Sequence, residues 1–78
     1  MEGLTEGRMV HYVMPSGEHR PAIVVKVWNK EAGVCNLSVF YDWNNDVKGE
    51  NVTGIMWATS VNPDDDKSTG TWHWIEKA

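Results

Sequence analysis

The chain has 78 residues, with seven basic against eleven acidic side chains and a net charge of −4. That length allows a single domain, residues 1–78, and no run approaches the ~18 apolar residues of a membrane span. One cysteine excludes an internal disulfide framework, and basic residues scattered one at a time exclude a grip on the backbone of duplex nucleic acid.

Residues 1–8 open acidic, lack the apolar stretch of a signal peptide and are predicted to be loosely ordered. Helical periodicity is absent downstream, and short β-rich runs alternate with turn chemistry. The first strand is predicted over Met9 to Met14, closed by Pro15-Ser16-Gly17. The second runs from Pro21 to Trp28, with Ile23, Val25 and Val27 on one face and Ala22, Val24, Lys26 and Trp28 on the other; its near-continuous apolar character predicts a central, buried strand. Asn29-Lys30-Glu31-Ala32-Gly33 reads as a hairpin loop with Gly33 at positive φ. The third strand, Val34 to Tyr41, puts Cys35, Leu37, Val39 and Tyr41 on one face, while Asn36 and Ser38 mark the other as wetter. The fourth, Val52 to Val61, sends Ile55, Trp57, Thr59 and Val61 one way, and Gly54 marks a bulge or bend. The fifth, Thr71 to Ile75, sets Trp72 and Trp74 against His73 and Ile75. The expected fold is all-β, a small five-stranded SH3-like barrel with an OB-like barrel as the alternative.

Several motifs have bland explanations. Asp42-Trp43-Asn44-Asn45-Asp46 opens like a calcium loop, but Val47 stands where the sharp turn needs Gly and Thr53 where a bidentate Glu belongs, leaving an Asn/Asp turn. Asp64-Asp65-Asp66 reads as a solvated loop tip. His11, His19, His73 and Cys35 lack the spacing of a zinc ligand pair, so neither metal nor cofactor is expected. Cys35 sits among apolar neighbours, which makes a thiol inert, and no phosphate loop or nucleophile elbow appears, so no enzyme is expected.

The aromatic set is the informative feature: five Trp, two Tyr and one Phe. Tyr41 and Trp57 share faces with aliphatics and are predicted core. Trp28 shares its face with Lys26, Trp43 lies in a polar loop, and Trp72 and Trp74 flank His73; these four are candidates for a stacking or cation–π platform. The C-terminal pair has an alternative role as a plug at one end of the barrel. Arg20 and His19 are candidates to meet a phosphate or carboxylate, against a plain turn with Arg20 paired to an acidic loop. The candidate binding set is thus His11, His19, Arg20, Trp28, Trp43, Trp72, His73 and Trp74.

Met9 to Pro15, Gly17 to Val25, Trp57 to Val61 and Gly70 to Trp74, in that order, resemble a group of small proteins encoded by tailed bacteriophages and prophages. The resemblance implies a setting in the cytoplasm of an infected bacterium and carries over no catalytic residue. It fits a non-enzymatic binding module that inhibits a host factor or sequesters a small anionic ligand such as a cyclic-nucleotide immune signal. A structural or assembly component of the virion and an SH3- or Tudor-like peptide-binding module are the alternatives. Self-association is an open expectation alongside these partners.

Overall fold

The computed structural model describes residues 1–49 and 52–76. Runs rich in Val, Ile and aromatic residues favour extended backbone, and glycines at positive φ let the chain reverse between them, as at Gly17 (φ 90°) and Gly33 (φ 78°). The strands are β1 (Met9–Val13), β2 (His19–Asn29), β3 (Val34–Phe40), β4 (Ile55–Val61) and β5 (Trp72–His73). They form one antiparallel sheet in the order β4-β3-β2-β1-β5, an open sheet rather than a demonstrated barrel. A single helical turn, α1 (Trp43–Asp46), precedes β4 and replaces the expected Asn/Asp turn. Among the described residues no helix is long and apolar enough to cross a membrane. The predicted fourth strand begins at Val52; β4 begins at Ile55, after Gly54 at φ 85°.

One face of the sheet carries the core. Val10, Ala22, Val39 and Met56 form one row across four strands, and Val24, Leu37 and Ala58 form the next. The predicted β3 face is the one that packs: Cys35, Leu37 and Val39 are buried and Tyr41 lies against the cluster. Burial pushes the Cys35 thiol up to about 11.

Register shifts redistribute the other strands, two along β2 (Val24/Lys26 and Val27/Asn29) and one in β4. β2 shifts register between Val24 and Lys26, so Val24 packs inward, Val25 is exposed and Val27 returns to the core. This corrects the strict alternation expected of β2. In β4 the register shifts opposite Cys35 and Leu37, where Ser60 adopts φ 52°. One extra residue, with Thr59 and Ser60 together opposing Asn36, lets Val61 pack inward although Ile55 and Trp57 face out. Trp57, predicted core, is 65% exposed. Asn36 is the internal brace of this bulge: its Oδ1 accepts from the Ser60 amide (2.8 Å), the Thr59 hydroxyl (3.0 Å) and the Trp28 indole N–H (2.8 Å). A buried amide with its acceptor filled costs little, which is why Asn36 is buried on a face that reads as wet.

Residues 1–8, expected to be loosely ordered, dock on the sheet. Leu4 is fully buried in the core. The Gly7 amide donates to the Val24 carbonyl and the Val24 amide to the Arg8 carbonyl, which continues the pairing along the β1 side of β2 past Met9. Trp72, fully buried, closes the core from β5, and its indole N–H donates to the Gly33 carbonyl at 2.7 Å.

Candidate functional site

The outer face of the sheet carries the chemistry. In antiparallel pairing, residues directly opposite each other share a face, and residues two apart on a strand return to it. His11 lies opposite His73 of β5 and Pro21 of β2. His19 lies two residues from Pro21, diagonal to His11, so all three imidazoles converge at the β5-β1-β2 end. Their ring centroids are 4.6 to 5.9 Å apart, each pair edge to face.

The carboxylate of Glu76, three residues beyond His73, sits among the rings. It accepts from His11 Nδ1 (2.8 Å), His19 Nδ1 (3.0 Å) and His73 Nε2 (2.6 Å), and Lys67 Nζ lies 3.5 Å from it. Because a carboxylate only accepts, each of these ring nitrogens carries the proton. The hydrogen bond from His11, reinforced by His73, holds the Glu76 carboxyl well below the usual carboxylate range. His73 is 4% exposed, and its other nitrogen, Nδ1, is buried without a hydrogen-bond partner among the described residues. Taking one donor atom from each residue, the four side chains present atoms within 4.8 Å of one another, so they could hold a metal ion. Cys35, weighed beside the histidines in the sequence, faces the core instead.

The remaining candidates disperse. Arg20 shares the opposite face with Tyr12 and Trp72. Its guanidinium donates twice to Asp46, from Nε at 2.6 Å and Nη2 at 3.0 Å, with Glu18 at 3.2 Å. The fork expected to meet a ligand is filled by the acidic loop, the other outcome the sequence left open. Trp72 is core and unavailable as a platform. Trp74 packs edge to face on Trp72 at 5.0 Å and under the Arg8 guanidinium at 5.5 Å, so the C-terminal pair plugs the sheet. Trp43 is exposed on α1, its indole N–H tied to the Val52 carbonyl.

Trp28 keeps the expected exposure, 58%, with Lys26 Nζ 4.5 Å over its ring and Asn36 fixing its indole N–H. Met9, Val25, Ile55 and Trp57 are also exposed on this outer face. Met9, Ile23, Ser38 and Trp57 form one cross-strand row, and the small Ser38 leaves the Trp57 ring standing free. Met9, Val25, Ile55, Trp57 and Glu76 lie on the outer face or in its histidine cluster and are outside the candidate set drawn from the sequence. The signal for Trp57 was the pair of polar residues Thr59-Ser60 ahead of Val61, a bulge composition; Glu76, three residues past His73, carried none. No protein family, curated protein or solved structure matches the chain.

Proposed function

We propose that the protein is a non-enzymatic binding module whose recognition surface is the outer face of the sheet, and that its ligand is another protein. The observation that carries this reading is the set Met9, Val25, Trp28, Ile55 and Trp57, all exposed on one face of a small domain whose other face is fully used by its core. Aromatic side chains held rigid at the centre of an apolar patch are the usual anchors of protein interfaces. Trp28 is held by Asn36 and covered by Lys26, which makes it a preorganised anchor. A net charge of −4 steers a neutral or basic partner toward the surface.

A protein partner is favoured over a small anionic ligand such as a cyclic nucleotide. Arg20 is engaged by Asp46, and the histidines converge on the Glu76 carboxylate, which repels an anion. The resemblance to phage-encoded proteins supplies the proposed setting, the cytoplasm of an infected bacterium, with a host factor as the partner to be inhibited. The strand order and the long, bulged β2 support an SH3-like relationship, in which β2 serves both halves of the sheet.

A photo-crosslinking side chain placed at Trp57 or, as a control, at Asp65 in the acidic loop tests the surface in bacterial cells. The reading expects one discrete protein adduct from position 57 and none from 65. With the partner purified, Trp57→Ala should weaken binding by about 30-fold, the effect of losing a ~2 kcal/mol anchor. Adducts that are absent, equal from both positions, or made of this chain alone contradict it.

A further inference from the structure

We propose that His11, His19, His73 and Glu76, at the β5-β1-β2 end of the outer face, form a binding site for one divalent transition-metal ion of the zinc class, an inference that does not rest on the protein-binding reading. Three imidazoles and one carboxylate are a donor set suited to zinc, copper, nickel or cobalt; magnesium and calcium prefer oxygen alone.

The sheet fixes three of the four ligands. His11 and His73 are directly opposed in the β1–β5 ladder and His19 is one diagonal away in β2, so the register of paired backbone sets their separation. Tetrahedral zinc with bonds of about 2.0–2.1 Å places its donors about 3.3 Å apart. The donor atoms here lie within 4.8 Å of one another, and the closest, His73 Nε2 to Glu76 Oε1, are at 2.6 Å. The cluster therefore needs an adjustment of about 1.5 Å at its widest pair. His11, His19 and Glu76 are about a quarter to a third exposed and have room to turn, while the buried His73 ring stays as the anchor.

Proton balance is straightforward. Each imidazole would bind the ion through the nitrogen that now donates to Glu76 and carry a proton on the other, so three hydrogen bonds are exchanged for three metal–nitrogen bonds and a fourth bond to the Glu76 carboxylate. At His11 and His19 the relocated proton sits on a part-exposed ring. At His73 it falls on Nδ1, which is buried and has no acceptor among the described residues. Missing outer-shell partners of this kind cost about 10–100-fold in metal affinity, which places the site in the micromolar range instead of the nanomolar range. Lys67, 3.5 Å from Glu76, is a competing cation. Four protein ligands close the coordination shell, so the ion would tie Glu76 and the segment after β5 to β1 and β2 instead of activating a water.

The test uses the full chain stripped with a chelator and titrated by calorimetry with Zn²⁺, with Co²⁺ as a spectroscopic stand-in and Mg²⁺ as a control. Expected are one ion per chain, micromolar affinity for Zn²⁺, a tetrahedral Co²⁺ visible spectrum without a thiolate charge-transfer band, and no response to Mg²⁺. His19→Ala should weaken binding by at least 100-fold and Glu76→Gln by at least 10-fold, while Lys67→Gln should tighten it several-fold; all three positions are part-exposed, and circular dichroism checks that the variants fold. Absence of saturable binding up to about 1 mM Zn²⁺ overturns the proposal, as does binding unchanged in His19→Ala and Glu76→Gln.

Discussion

Trp72 packs in the core while Trp57 stands exposed on the outer face, and paired substitutions measure that difference. Trp72 is fully buried and its indole N–H is the partner of the Gly33 carbonyl. Trp72→Phe removes about 40 Å³ of side chain, worth about 1 kcal/mol at ~24 cal/mol per Å³ of cavity. It also strands a buried carbonyl, at about 1–3 kcal/mol. The expected loss is about 2–4 kcal/mol out of the roughly 4–12 kcal/mol total of a domain this size, so the variant folds in the cold and its Tm falls by about 10–25 °C. Trp57, 65% exposed beside Ser38, should tolerate Ala within about 0.5 kcal/mol. Urea unfolding followed by circular dichroism gives both values, with an unchanged m-value certifying that the native state is the same. A Trp72→Phe loss below about 0.5 kcal/mol, or a Trp57→Ala loss above about 2 kcal/mol, would refute the inward and outward assignment.

Asn36→Ala should cost about 2–3 kcal/mol in urea unfolding, because three donors lose one shared acceptor and the Ser60 bulge loses its brace. Gly33→Ala should lower Tm clearly, since Gly33 holds φ 78° and an added Cβ would lie 2.7 Å from Pro63 Cγ. Cys35, with its thiol pushed up to about 11, should react with a thiol-specific reagent at pH 8 roughly 100-fold more slowly than in the urea-unfolded chain, from thiolate fraction alone. The hydrogen bond from Arg20, with a second from the Asp42 amide, lowers the Asp46 carboxyl below its ordinary 3.8, so the unfolded chain takes up the proton first as pH falls. The stability difference between wild type and Asp46→Asn should therefore be flat above about pH 4 and shrink as pH drops through the folded-state value; a difference independent of pH down to acid unfolding would remove Asp46 from the account.

Much of the fold was legible in the residues. Strict alternation in β3 named its core face correctly because no bulge interrupts Cys35, Leu37 and Val39 on their own strand. Alternation failed in β2 and β4 for a common reason: one or two extra residues swap faces midway, and nothing in a two-residue period records that. The candidate site was legible in part. His11, His19 and His73 were singled out, but their separations of eight and 54 residues along the chain show no ligand pattern, and only the register of β1 with β2 and β5 brings them together. Glu76 joins through side-chain reach alone. Arg20 was read with both of its outcomes in view, and the short reach to Asp46 decided between them.

The outer face around Trp57 and Trp28 is proposed to recognise a protein. The most direct measurement is the affinity of a partner crosslinked at position 57, titrated in purified form against wild type, Trp57→Ala, Trp28→Ala and the loop control Asp65→Ala. The account predicts losses of about 10-fold or more for each Trp variant and no change for the control. Equal affinities for all four chains would contradict it.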